Sequence, residues 1–145
     1  MTIPFAAYSP GFSDGLQCAM NIARSYAANY GGHVLGTEHI LLGLSSVGLD
    51  VLAHSQITTK MIEDEADRLV KRGSHVAVGV NIPYGPIAER SVSHALNLQS
   101  QDIGAESVTE QHMFVALLQE SEGIAAKILT NLGFDAIAFL NAQRP

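Results

Sequence analysis

Apolar positions along the chain recur with the spacing of amphipathic helices. The first such pattern follows Ser13 or Asp14, either of which is a good N-cap residue, and it consists of Leu16, Ala19, Ala23, Tyr26 and Ala27. Gly31 and Gly32 follow this pattern, and glycine commonly ends a helix. The sequence therefore predicts a first helix between Ser13 and this glycine pair.

The next pattern predicts a buried helix. Thr37 is the expected N-cap, and Glu38 falls in the first turn, where a negative charge complements the helix dipole. Residues 40–44 are apolar on nearly every side, which is typical of a central helix. A short helix is predicted near 50–54, and a fourth runs from Thr58 or Thr59 to Arg72 and stops at Gly73.

Residues 74–86 contain no helical period and are interrupted by glycine and proline, so they are predicted to be a linker. Beyond the linker the same order returns. Helices are expected over residues 87–101, 109–120, 124–132 and 135–143, with Pro86 at the N-terminal edge of the first.

The two halves are related in sequence. The stretch GTEHILLGL at 36–44 returns, less regular, as TEQHMFVAL, so that His39 corresponds to His112. The predicted fold is therefore all-α: a single domain of two tandem four-helix repeats related by a pseudo-twofold axis, with repeats at about 12–73 and 87–143. After the central helix, the loop of the first half is expected to be about four residues shorter than its counterpart, with the helices unchanged.

Composition narrows the function classes. The chain has 145 residues, 47% of them hydrophobic and 15% charged, with a formal net charge of −6. The chain carries no basic run and no apolar stretch of the roughly 20 residues that span a bilayer, so neither a nucleic-acid partner nor a membrane partner is expected. With no evident signal peptide, a cytoplasmic location is predicted. Cys18 is the single cysteine, which excludes an intrachain disulfide and predicts a buried structural thiol.

These motifs resemble those of a known family. GTEHILLGL in the first half, EGIAAKILTNLG at 122–133 in the second and IPYGP at 82–86 are together similar to the Clp N-terminal repeat domain, the module at the front of ClpC- and ClpA-type unfoldases. The resemblance implies an all-α domain that binds adaptor and substrate proteins of a Clp ATPase. In ClpC-type members it recognises phosphorylated arginine, and in actinobacterial members it binds cyclic-peptide antibiotics.

The resemblance also implies that ATP is hydrolysed in other modules. The lysines here are Lys60, Lys71 and Lys127, none of them in the Gly-Lys-Ser/Thr context of a P-loop. We therefore predict a binding module and not an enzyme, with no catalytic residue, no cofactor and no metal ligand set.

Glu38 is the leading candidate binding residue. In ClpC-like relatives the matching glutamates of both repeats bind the guanidinium of phosphoarginine, and such a charge-assisted fork is strong and directional. The second repeat departs from this pattern, because Gln111 replaces the glutamate and Glu110 stands where threonine is expected. One phosphoarginine site, or none, is therefore predicted, with Thr37 beside Glu38 and with Ser9, Ser13, Gln17 and backbone N–H groups as candidate phosphate donors.

Two aromatic residues and two histidines complete the candidates. Phe12 and Tyr84 open the two repeats, where exposed aromatic residues could contact a partner. Phe12 is expected to pin its helix to the core instead, whereas for Tyr84 the core role and a half-exposed contact position both remain open. His39 and His112 are expected to pack with a satisfied ring. Gln17 replaces a basic residue of actinobacterial relatives, which weakens the case for an antibiotic site.

Two functional interpretations remain open from sequence. The first is a protein- or peptide-binding module of the Clp system, either free-standing or at the front of a longer ATPase. The alternative is a free-standing small-molecule binder that sequesters a cyclic peptide or a phosphorylated amino acid.

Overall fold

The computed structural model describes residues 11–30, 34–70 and 82–143, and within these ranges the regular structure is helical. There are eight helices in the described ranges: α1 (Asp14–Asn29), α2 (Thr37–Val47), α3 (Asp50–His54), α4 (Thr59–Leu69), α5 (Pro86–Gln101), α6 (Glu110–Gln119), α7 (Ile124–Asn131) and α8 (Ala136–Ala142). The predicted all-α fold is confirmed. Gly31, Gly32, Gly73, Ser9 and most of the predicted linker lie outside the described residues.

Local capping chemistry sets several helix starts. The hydroxyl of Ser13 accepts a hydrogen bond from the N–H of Leu16 at 3.1 Å, and that of Thr58 accepts from Met61 at 3.2 Å. Each therefore satisfies one of the N–H groups that a helix leaves without an intrahelical partner in its first turn. Of the alternatives that the sequence left open, Ser13 and Thr58 are the N-caps.

The predicted cap of α2 is wrong. Gly36 is the N-cap, and Thr37 is already the first helical residue. The hydroxyl of Thr37 points away from its own helix and accepts a hydrogen bond from the N–H of Ala125 in α7, at 3.1 Å. Thr37 therefore caps a helix of the other repeat, whose own N-cap, Gly123, has no side chain to do so.

Both central helices are buried, as predicted. All residues from Ile40 to Leu44 and from Met113 to Leu118 are buried, and all but Gly43 and Val115 belong to one hydrophobic core. α1 packs closely on α2 at Gly43, where a Cβ atom would collide with the backbone carbonyl of Ala19. This glycine is required by the close approach of two backbones.

The repeats are joined by two short exchanges of backbone. Phe12 forms an isolated parallel bridge with Val108, and Tyr84 forms the equivalent bridge with Leu35. Each segment that precedes the first helix of one repeat therefore pairs with the residue that precedes the central helix of the other repeat. Two backbone hydrogen bonds of ordinary length accompany the bridges: Ser13 N–H donates to Val108 O at 2.9 Å, and Gly85 N–H donates to Leu35 O at 2.9 Å.

The predicted shortening in the first repeat is divided between loop and helix. Residues 48–49 connect α2 to α3, whereas residues 120–123 connect α6 to α7, and α3 has 5 residues against 8 in α7. The expectation that the helices are unchanged is therefore wrong. Among the described residues, no single helix is long and apolar enough to cross a membrane; only the bent pair α7 and α8 meets the length and composition together.

Candidate functional site

The exposed faces of α1 and α5 form a matched pair of shallow depressions, of about 450 and 600 Å³. Six helix residues of each lining correspond: Asp14, Gln17, Cys18, Asn21, Ile22 and Ser25 on α1 match Pro86, Glu89, Arg90, Ser93, His94 and Asn97 on α5, and the α5 depression is lined by Glu120 as well. Cys18 is exposed here, so the prediction of a buried thiol is wrong. The pseudo-twofold axis thus presents two equivalent surfaces with different side chains.

At the start of α1, the candidates Ser13, Gln17 and Glu110 come together. The hydroxyl of Ser13 donates to Glu110 Oε1 at 2.9 Å, and the Glu110 carboxylate lies against Gly15, where any Cβ would collide with it. Gln17 is held locally, because its amide donates to the carbonyl oxygen of Phe12 at 2.9 Å. The positive end of the α1 dipole therefore already faces a carboxylate of the protein's own.

The start of α5 is different. Its N-cap is Gly85, which offers no side-chain acceptor, and its first residue is Pro86, which has no N–H. The first-turn N–H groups of Ile87 and Ala88 are therefore not capped by a side chain. Such a helix end favours negative charge.

Glu38 follows closely on the segment that is hydrogen bonded to this helix start. Its side chain is only 9% exposed, its carboxylate folds back over Gly36, and no described residue donates a hydrogen bond to it. The backbone before it is fixed to α5, because Leu35 accepts a hydrogen bond from Gly85. The exchange between repeats thus brings the segment that carries this buried carboxylate to the uncapped start of α5.

Gln111, the counterpart of Glu38, does not reproduce this arrangement. It is exposed, and its amide donates to Gln143 Oε1 in the region after α8, at 3.1 Å. The two repeats therefore differ in charge, in burial and in partner at this position.

The paired histidines cap their own helices. His39 Nδ1 accepts the N–H of Gly36 at 2.9 Å, and His112 Nδ1 accepts the N–H of Thr109 at 3.0 Å. Each is the third helical residue, which is the place of the acceptor in a capping box. Burial lowers the pKa of His39, and the nearby Glu38 opposes this to a smaller extent. The predicted packing role is confirmed, and in the described ranges no cluster of three or more metal-ligand side chains occurs.

The two aromatic candidates are buried. Phe12 is 3% exposed, as expected for a residue that anchors its helix, but Tyr84 is 0% exposed. Of the two roles left open for Tyr84, the structure shows the core role: its backbone pairs with Leu35 and its ring belongs to the hydrophobic core.

Sequence reasoning missed Arg90. This side chain lies one turn into α5, on the exposed face, and pairs with Glu120 at 3.2 Å and with Glu122 at 3.8 Å. It is the basic side chain that lines the depression on α5. The sequence does contain a signal for it, because Arg90 follows the predicted helix start at Pro86 by four residues, which is about one helical turn.

Comparison with known proteins agrees with this architecture. The model of the Clp repeat (R) N-terminal domain matches residues 11–132. Chaperone protein ClpC1, chloroplastic, of Arabidopsis thaliana is 35% identical over 118 residues, which are 79% of this chain and 12% of that protein. The chloroplastic ClpA homolog of Brassica napus is also 35% identical, over 79% of this chain and 13% of its own length. The chain thus spans about 13% of such relatives.

Solved structures with this fold include two informative cases. The N-terminal domain of the caseinolytic protease associated chaperone ClpD from Arabidopsis thaliana has a TM-score of 0.76 at 18% identity, with 92% of each chain covered. A complex of the ClpV N-domain with a VipB peptide has a TM-score of 0.70 at 16% identity, covering 94% of this chain and 87% of that chain. At these identities the likeness establishes the fold.

Proposed function

Because the chain belongs to the Clp repeat N-terminal domain family, we propose that it binds segments of adaptor or substrate proteins of a Clp chaperone system, at the start of α5. The observation that carries this proposal is Glu38: a nine-tenths buried carboxylate without a described hydrogen-bond donor, on the segment that pairs with an uncapped helix start. A buried carboxylate is costly unless it is paired. An incoming cation supplies the pair.

A guanidinium suits Glu38 better than an ammonium group. Its planar set of donors matches both carboxylate oxygens, and charge-assisted hydrogen bonds of this kind are about twice as strong as neutral ones. We therefore take an arginine side chain of the partner as the group bound by Glu38.

A phosphate on that arginine has its own receptor. The N–H groups of Ile87 and Ala88 have no side-chain cap, and Arg90, which also pairs with Glu120 and Glu122, lies one turn further along the helix. Phosphoarginine presents a cation and an anion side by side, and the carboxylate and the helix start present the complementary pair. Phosphoarginine-marked segments are therefore the proposed ligand.

A single site is proposed. At the start of α1, the Glu110 carboxylate occupies the position that faces the helix dipole, and it repels a phosphate there. Gln111 also lacks the charge that Glu38 provides. Cyclic peptides remain a weaker proposal for the α1 face, whose lining contains Gln17 and Cys18 but no lysine or arginine.

Calorimetric titration with phosphoarginine tests the proposal. The wild type is expected to bind one equivalent, and Glu38→Gln is expected to weaken binding about tenfold or more, because the amide cannot balance the guanidinium charge. Asp50→Asn removes an exposed charge from the first turn of α3 and serves as the matched control. Binding that survives unchanged in Glu38→Gln would overturn the assignment.

A gain-of-function variant tests the single-site argument. Glu110→Thr combined with Gln111→Glu gives the second repeat the residues of the first and removes the carboxylate from the α1 start. We expect the double variant to bind a second equivalent of phosphoarginine. Two equal sites in the wild type would show that the roles given to Glu110 and Gln111 are wrong.

A further inference from the structure

A groove of about 860 Å³ runs along the second repeat, between the C-terminal end of α5, the outer side of α6 and α8. It lies at the opposite end of α5 from the proposed arginine site, about 24 Å away for a helix of 16 residues. Its lining consists of Leu98, Gln101, Asp102, Thr109, Gln111, His112, Val115, Leu118, Gln119, Leu140 and Gln143.

The corresponding gap in the first repeat is filled by two tyrosines. Tyr30, the C-cap of α1, packs edge-on against His39 with ring centroids 6.0 Å apart. Tyr26 packs against Tyr30, and its hydroxyl donates to Glu63 of α4 at 2.7 Å. This hydrogen bond joins α1 to α4 across the gap.

The second repeat lacks these groups. Asp102, the C-cap of α5, takes the place of Tyr30 and contacts His112 through a 2.8 Å bond between Oδ2 and Nε2. Leu98 replaces Tyr26, and Leu140 stands where α4 has Glu63. Two phenol rings and one interhelical hydrogen bond are thus missing, and the space that they fill in the first repeat is open.

The lining of the groove has a distinct chemistry. Its floor is apolar, formed by Leu98, Val115, Leu118 and Leu140, and its rim carries the amides of Gln101, Gln111, Gln119 and Gln143. Primary amides both donate and accept, so they suit the backbone of an extended peptide. Asp102 is the carboxylate of the lining, 56% exposed at its side chain, and no lysine or arginine lines the groove. Next to it, Ile103 is fully exposed.

We infer that this groove binds an extended segment of a partner protein that carries an aliphatic side chain beside a lysine or arginine. The aliphatic side chain covers the floor, and the cation meets the exposed carboxylate of Asp102. The amides hold the peptide backbone between them. The inference extends the proposed function to a second surface. Its test is independent of the test of the Glu38 site.

The test uses three labelled octapeptides and backbone amide spectra of the whole chain. The peptides are Ser-Gly-Lys-Leu-Leu-Lys-Gly-Ser, the same sequence with both lysines replaced by glutamate, and the same sequence with both leucines replaced by serine. We expect the lysine–leucine peptide to shift the amides of the groove residues, and each control peptide to bind at least tenfold more weakly.

Two variants separate charge from shape. Asp102→Asn keeps an acceptor for His112 but removes the charge, and it is expected to weaken the lysine–leucine peptide about three- to tenfold; Asp50→Asn, an exposed site in the other repeat, leaves binding unchanged. Leu98→Tyr with Leu140→Glu rebuilds the Tyr26–Glu63 bridge and is expected to abolish peptide shifts in the groove while phosphoarginine binding is retained.

Three results would overturn the inference. They are equal binding of the glutamate peptide, unchanged binding by the folded double variant, and peptide shifts confined to the α1 and α5 faces. If the wild type shows the peptide shifts in the groove but does not bind phosphoarginine, the Glu38 proposal is contradicted and the groove inference stands.

Discussion

A histidine takes the acceptor position of a capping box in both repeats. In His39 and His112, Nδ1 accepts a backbone N–H, so Nδ1 carries no proton in either ring. Protonation would place a hydrogen against the donor and break the cap. The two rings therefore hold the starts of the central helices.

The pKa of His39 predicts how stability depends on pH. Burial lowers this pKa from the ordinary value of 6.5, so below that value the unfolded chain binds a proton that the folded chain does not. The contribution of His39 is complete above about pH 6.5 and is lost as the pH falls through the lowered folded value. Urea unfolding between pH 7.5 and 5 should show this slope for the wild type and for His54→Asn, which changes an exposed ring, but a smaller slope for His39→Asn.

The hydroxyl of Thr37 links the two repeats. We expect Thr37→Val to destabilise the fold by about 1–2 kcal/mol, because the N–H of Ala125 loses its acceptor in a buried place. Thr37→Ser should retain most of the stability, and Thr130→Val, at an exposed position on α7, should be nearly neutral. Urea denaturation measures all three, and a Thr37→Val variant as stable as the wild type would contradict the role.

At the scale of elements, the helix starts differ in how they are capped. α1, α4 and α6 begin with side-chain caps from Ser13, Thr58 and Thr109, whereas α2, α5 and α7 begin with glycine. The three glycine-capped starts lie together: Leu35 and Gly85 are hydrogen bonded, and Gly123 contacts both Thr37 and Ile87. The exchange between repeats therefore gathers three helix starts whose N-cap residues have no side chain.

The crossing of α1 and α2 depends on Gly43. Gly43→Ala places a methyl group into the backbone of Ala19, which cannot yield as a flexible side chain would. We expect a loss of about 1–3 kcal/mol, in the range of overpacked cores. Gly48→Ala tests a different cause, because Gly48 has open space but a φ of 89°. If close packing costs more than the strained backbone conformation, thermal melts should show a larger loss of stability for Gly43→Ala than for Gly48→Ala.

At the scale of the whole molecule, the repeats are interlocked. Phe12 and Tyr84 each lead the chain from one repeat into the core shared with the other, and their backbones bridge to Val108 and Leu35. Neither half completes its core alone. We therefore expect one cooperative unfolding transition for the whole domain.

Tyr84 provides the test of this coupling. Tyr84→Ala should cost about 3–5 kcal/mol, as large-to-small changes of buried aromatic residues do. The loss should appear equally in hydrogen exchange of α2 and α6, because both repeats unfold together. Tyr84→Phe keeps the ring and should lose much less, and Ile137→Ala, at a residue 76% exposed, should be nearly neutral. Protection lost in only one repeat would contradict the interlock.

The function proposed here also belongs to the whole molecule. Glu38 and Gly85, the N-cap of α5, are 47 residues apart in sequence. Their segments come together because the repeats exchange backbone. The groove beside Asp102 likewise exists because the second repeat lacks the two tyrosines of the first.

The sequence alone determined the helices, their order and the repeat, because hydrophobic periodicity, glycine and proline act locally. It also pointed to Glu38 and to its loss at Gln111, since both lie inside one recognisable motif. Only the tertiary structure decided that Thr37 caps α7, that Tyr84 is buried and that Glu110 faces α1. Each of these depends on contacts between residues at least 49 positions apart, such as Leu35 and Tyr84, and helical spacing carries no information about such pairs.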